Sequence, residues 1–256
     1  TDAAADDYFG YSVAIDGGTI VVGAYGDDDD GSASGSAYVF HTSDGGATYV
    51  QVYKLTASDA TGGDYFGHSV AIDGATAVVG SYYDDDAGSS SGSVYVFDAN
   101  APTSQPTSSQ PTTSHPTPAT SQPTTSQPTL APSFRPTQRP TPLPTPRPTH
   151  APTPRPTNHY YQQVAKLTAA DAAEGHEFGY SVAVDGDTVA VVSFEYRNGL
   201  GALYVFRTSN SDAAYTQVRK LMASDAEGGD YFGCFVAIDG DTIVVGAPWD
   251  DGGAGS

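Results

Sequence analysis

Runs of adjacent carboxylates set the chemistry open to this chain. Asp27, Asp28, Asp29 and Asp30 stand in DDDDGSASG, Asp84, Asp85 and Asp86 in DDDAGSSSG, and Asp250 and Asp251 follow the one tryptophan, Trp249. Neighbouring carboxylates repel and raise one another's pKa unless a cation or water separates them. Calcium takes about six to eight oxygen ligands from flexible acidic loops, often with glycine for the turn, and these runs supply that chemistry. Their spacing departs from a strict Asp-x-Asp-x-Asp-Gly loop, because Gly26 and Ala87 fall where acids are needed. A solvated, solubilising acidic loop is therefore the competing reading. Tyr25, Tyr82, Tyr83 and Trp249 flank the same runs, and Tyr196 stands in the equivalent loop of a copy that lacks the acids. Their rings suit stacking on a sugar or a protein ligand, or else simple loop anchoring. No Ser-His-Asp set, paired acid, histidine-rich metal motif or phosphate-cradling glycine loop can be argued, so no enzyme is expected.

These residues recur because the chain repeats. FGYSVAIDGGTIVVGAY, FGHSVAIDGATAVVGSY, FGYSVAVDGDTVAVVSF and FGCFVAIDGDTIVVGAP open at Phe9, Phe66, Phe178 and Phe232. Repetition at a fixed period means one structural unit copied and stacked. The period is near 55 residues once one interruption is removed. The second YVF motif, ending at Phe97, is separated from its following KL pair by an extra segment that sits inside a loop. The organisation expected is repeats over 1–100, a spacer over 101–157 and repeats over 158–256.

Charge is uneven. The 30 Asp and Glu all lie outside the spacer, beside only Lys54, Lys166, Arg197, Arg207, Arg219 and Lys220. Duplex binding needs basic contacts to phosphate, so nucleic acid is not an expected partner, and an anionic membrane surface is disfavoured for the same reason. No apolar run approaches a membrane span. Cys234, the single cysteine, rules out an intrachain disulfide. It stands where other copies have Tyr11, His68 and Tyr180, as a small apolar residue or a reactive thiol. The chain starts at Thr1 without Met and stops inside a repeat, so it is expected to be a fragment.

The spacer holds 17 of the 18 prolines, amid threonine and serine. Proline at this density removes backbone donors and favours extended polyproline II. With so much Thr and Ser, this is the composition of an O-glycosylated extracellular or wall-associated stalk; an unmodified linker is the alternative.

Within a repeat, YVQVYKLTA alternates, an Asp/Gly loop follows, and FGHSVAID places apolar residues two apart. Asp16-Gly17, Asp73-Gly74, Asp185-Gly186 and Asp239-Gly240 each sit between two β-runs, as hairpin turns or, less simply, as ligands. Four strands per unit fit a propeller blade. We take the KL strand as the first of its own unit, so the loop carrying the spacer runs between blades. Strand alternation puts the loop before Phe-Gly and the loop after Val-Val-Gly at one end. That end collects Asp6, Asp7, Asp59, Asp64, Asp171, Glu174, Glu177, Asp225, Glu227 and Asp230 as well as the acid runs. The Asp-Gly hairpins and the stalk lie at the other.

Phe232-Gly233 followed by VAIDGDTIVVGAP resembles the FG-GAP repeat, the blade unit of the integrin alpha-subunit propeller, in its short variant. The resemblance covers all but the spacer. It implies an all-β fold, a β-propeller of four-stranded antiparallel blades, with these repeats part of a larger array. The integrin calcium loop has no counterpart here, since a tight Asp-Gly turn replaces it. The function this implies is a noncatalytic adhesion or binding module at the cell surface, cell wall or matrix, taking a protein or glycan ligand, with calcium as a candidate ion. An accessory propeller of a larger secreted enzyme and a structural wall glycoprotein are the alternatives.

Overall fold

Val-Ala-Ile-Asp and Thr-Ile-Val-Val can bury their branched side chains together only if the chain folds back at the intervening Asp-Gly, and every repeat does so. In the first, β1 (Val13–Asp16) pairs antiparallel with β2 (Thr19–Ala24), Asp16 facing Thr19 across a two-residue turn. The same hairpin forms from β5 (Ser69–Asp73) and β6 (Thr76–Ser81), from β9 (Phe178–Asp185) and β10 (Thr188–Glu195), and from β13 (Phe235–Asp239) and β14 (Thr242–Gly246). The YVF strands β3 (Ser36–His41), β7 (Ser93–Asp98) and β11 (Leu200–Thr208) add to these hairpins. The KL strands β4 (Val50–Leu55), β8 (Gln162–Leu167) and β12 (Tyr215–Leu221) complete them. This is a computed structural model describing residues 4–101, 160–195, 199–209 and 214–250. Those residues belong to one unit, Thr1–Thr103 with His159–Ser256. Apart from Ala101, the Pro/Thr-rich spacer lies outside them.

The described residues thus form three four-stranded antiparallel sheets, ordered β1-β2-β3-β4, β5-β6-β7-β8 and β12-β11-β10-β9, and a two-stranded β13-β14 sheet. The all-β, repeat-built architecture is as expected, but the boundary between blades is not where the sequence analysis put it. Each KL strand closes the sheet of the preceding repeat, because a hairpin returns it antiparallel to the YVF strand. The spacer therefore connects β7 and β8, adjacent strands of one sheet. The blade-to-blade connection is instead the acidic loop before Phe-Gly.

Packing between sheets follows from alternation. Val21, Val39 and Leu55 of the first sheet meet Phe66, Val70 and Ile72 of the second. Val78, Val94, Val96 and Leu167 meet Phe178, Val182 and Val184 of the third. Phe66 and Phe178 are wholly buried at these seams. Glycine is required where backbones touch. A Cβ on Gly80 would overlap the Gly179 carbonyl oxygen, and one on Gly92, held at φ 79°, would overlap the Phe178 backbone. The Asp-Gly turns also lace the sheets together. Asp16 accepts the Gly74 N–H at 2.7 Å, Asp73 accepts that of Gly186 at 2.7 Å, and Asp185 accepts that of Gly240. Among the described residues no helix is long and apolar enough to cross a membrane.

Candidate functional site

Lysine organises the acid runs. Register sets Lys54 opposite Tyr38, Lys166 opposite Tyr95 and Lys220 opposite Tyr204, each ammonium 5.1 Å from its ring centroid. From there Lys54 reaches the buried Asp27 at 2.9 Å and also bonds Asp29. Lys166 reaches Asp59 at 2.8 Å and the buried Asp84 at 3.0 Å, and also bonds Asp86. Tyr38 donates to Asp27 and Tyr95 to Asp84, each at 2.7 Å. Burial pushes the Asp27 carboxyl up, but the Tyr38 and Lys54 bonds outweigh it and hold the group below its ordinary value. Asp28 and Asp85 accept the backbone N–H groups of Ala33 and Ser90 within their own loops. The third repeat has no acid run, and its Lys220 pairs with Asp171 at 2.5 Å.

These donors decide the fit to calcium. The innermost oxygens, on Asp27 and Asp84, are taken by ammonium, phenol and backbone or serine donors. No group of three or more acidic, histidine or cysteine side chains among the described residues is placed to hold a metal ion. As arranged, Asp27 and Asp84 are committed to protein donors. Asp250 donates its backbone N–H to the Ala247 carbonyl, and Asp251 lies outside the described residues.

The loop before Phe-Gly and the loop after Val-Val-Gly do share one end. Gly26 donates to the Asp7 carbonyl, Tyr83 to that of Asp64 and Trp249 to that of Asp230. The residue preceding each Phe is left-handed there, at φ 54° for Tyr8, 57° for Tyr65, 47° for Glu177 and 56° for Tyr231. Such a conformation costs a non-glycine residue about 1–2 kcal/mol. It interrupts the strand alternation just where these side chains gather at the acidic end. Asp64 anchors the turn by accepting the Thr61 N–H at 2.7 Å, as Asp230 does for Glu227.

At this end an open cleft of about 590 Å³ is lined by Tyr11, His68, Tyr82, Tyr83, Glu177, Tyr180, Phe194, Tyr231, Cys234 and Trp249. All four repeats contribute. Ring contacts run through it: His68 to Tyr82 at 4.3 Å, Tyr82 to Tyr83 at 4.2 Å, Tyr180 to Phe194 at 5.0 Å and Tyr231 to Trp249 at 6.1 Å. Glu177 is buried among them with no hydrogen bond or ion pair to its carboxyl, and burial pushes its pKa up to about 7. Burial lowers that of His68 to about 4, against a bond to the Tyr180 backbone, and its Nδ1 has no partner. Burial also pushes the Cys234 thiol up, the environment of a packed residue more than of an activated nucleophile.

Of the aromatics singled out in the sequence, Tyr82, Tyr83 and Trp249 line the cleft. Tyr25 lies at its margin, stacked on Tyr8 at 4.8 Å and 5.8 Å from His68; Tyr196 is outside the described residues. The sequence analysis missed Tyr11, His68, Tyr180 and Cys234 as one ring of equivalent positions, though it had aligned them. It placed Glu177 at the acidic end, but not among the rings of the cleft, where it takes the place of Tyr65. The KL lysine, present in three copies, was the overlooked signal for the acid runs.

The profile of the FG-GAP repeat matches residues 1–40, 49–97, 161–206 and 215–256, most of the chain, and the protein belongs to that family. FG-GAP repeats occur in integrin-like and other surface and extracellular proteins, typically as noncatalytic binding modules. No curated protein sequence matches the chain. Among solved structures, Saccharomyces cerevisiae Sqt1 aligns with a TM-score of 0.42 at 7% identity, over 88% of this chain and 38% of that one.

Proposed function

We propose that this chain is a noncatalytic binding module displayed at the cell surface, cell wall or matrix, and that its ligand, a protein or glycan, enters the aromatic cleft at the acidic end. The observation that carries the reading is the cleft itself. Four repeats deliver rings to one concavity of about 590 Å³, within the ordinary range for small-ligand sites. Exposed aromatic concavities on a soluble surface mark binding sites. The Thr/Ser/Pro composition of the spacer supports an extracellular setting. Calcium forms no part of the reading, because Lys54 and Lys166 already engage the innermost carboxylates, Asp27 and Asp84.

The test is retention of the labelled chain on immobilised matrix glycoproteins and on intact cell walls. The Tyr82→Ala, Tyr231→Ala double variant serves as control, after circular dichroism has established its fold. Retention of the natural chain with loss in the variant is expected. Equal retention of both, or of neither, refutes the reading.

A further inference from the structure

Resting on that reading, we infer that the cleft takes a neutral saccharide, seated against Tyr82 and Trp249 and hydrogen-bonded to Glu177. One polar group points to this ligand. Glu177 is 8% exposed and lines the cleft, and no described residue bonds its carboxyl. Its oxygens, unlike the fully buried Nδ1 of His68, are not sealed from the cleft. A carboxyl held among rings without a protein partner gains from a ligand that bonds it. Sugar hydroxyls donate and accept, and therefore match either protonation state of that carboxyl.

The walls match the rest of a pyranose ring, whose C–H faces are apolar and whose rim is polar. Tyrosine has the same division, an apolar body with a polar tip. Trp249, 72% exposed at the cleft's edge, offers a broad open face. A cationic ligand is the rival occupant of an aromatic site. The Glu177 carboxyl would suit a cation too, so the titration carries a cationic probe beside the sugars.

Trp249 is the chain's only tryptophan, so its fluorescence reports on the cleft directly. The full chain is titrated with cellotriose, chitotriose, mannotriose and laminaritriose, and with tetramethylammonium chloride as the cationic probe. A mucin-type glycoprotein, before and after removal of its glycans, distinguishes conjugated from free sugar. A saturable emission shift with at least one trisaccharide is expected. Binding should weaken about tenfold in Tyr82→Ala and Glu177→Ala, and persist in Tyr82→Phe and Glu177→Gln, which keep the ring and a neutral hydrogen-bonding group. Response to tetramethylammonium alone overturns the saccharide assignment while leaving a binding module. Silence toward every probe also overturns it, and retention on matrix glycoproteins then judges the broader reading separately.

Discussion

At the scale of single residues, the three KL lysines do similar work in unequal surroundings. Lys166 sits over Tyr95 with Asp84, whose side chain is 4% exposed, whereas the Lys220 and Asp171 side chains are 35% and 49% exposed. Removing one partner of a buried pair strands the other charge and costs on the order of 3 kcal/mol, while an exposed pair is worth about 1 kcal/mol or less. Lys166→Met should therefore destabilise far more than Lys220→Met in urea denaturation, and equal losses would sink this account of the acid runs. Because the lysines engage the innermost carboxylates, melts with calcium, magnesium and chelator should nearly coincide. A calcium-specific rise in Tm lost in Asp28→Ala and Asp30→Ala would restore a metal role. The cleft residues leave a pH signature of their own. Glu177 rises from 4.5 to about 7 on folding, so its contribution is complete below pH 4.5 and is lost as pH climbs through 7. His68 falls from 6.5 to about 4, so its contribution is complete above pH 6.5 and is lost as pH drops through 4. In Tm measured across pH 4–8, Glu177→Gln should flatten the alkaline limb and His68→Gln the acid limb; unchanged slopes in both would disprove the burial argument.

At the scale of elements, the hairpins were legible in the sequence because Asp-Gly between alternating runs has one economical solution. The fate of the KL strand was not, since its apolar period fits either neighbouring sheet and only the return of the YVF hairpin decides. Cross-sheet contacts were legible in part: Gly80 of Val-Val-Gly meets the Gly179 backbone of the next Phe-Gly, whereas Gly92, outside both motifs, meets Phe178 without a sequence signal. The second role of Asp16, Asp73 and Asp185 was hidden, because a residue that suits a turn gives no sign that its carboxylate serves the following blade. Asp73→Ala should cost about 1–2 kcal/mol through the lost bond to Gly186, with the hairpin itself intact. Gly92→Ala, combining a left-handed backbone with a clash against Phe178, should cost more than about 2 kcal/mol. If Asp73→Ala proved the worse of the two in chemical denaturation, lacing rather than backbone approach would dominate the seam.

At the scale of the whole molecule, the spacer tests whether the repeats form one continuous array. Its position inside a loop was legible from the repeat period alone, while the cleft was not, because it requires four equivalent positions to converge in space. Between β7 and β8 the chain runs 63 residues, from 99 to 161, whereas β3 and β4 are joined by eight, from 42 to 49. Both pairs share one register and one irregularity, at Val39/Phe40 and at Val96/Phe97. The described ends of the long connection do contribute, since Ala99 donates to the Ala75 carbonyl and Tyr160 and Tyr161 pack on Tyr53. Closure entropy grows slowly, by about 0.6 kcal/mol per doubling, so an eightfold shortening is worth about 2 kcal/mol. Replacing residues 102–159 with three glycines, which keeps those contacts and leaves a connection of eight residues, should therefore raise Tm, leave the circular dichroism spectrum of the sheets unchanged and keep the Trp249 emission. A fall in Tm, or loss of the β-sheet signal, would mean that the spacer contributes contacts to the repeats and that the array is not self-sufficient.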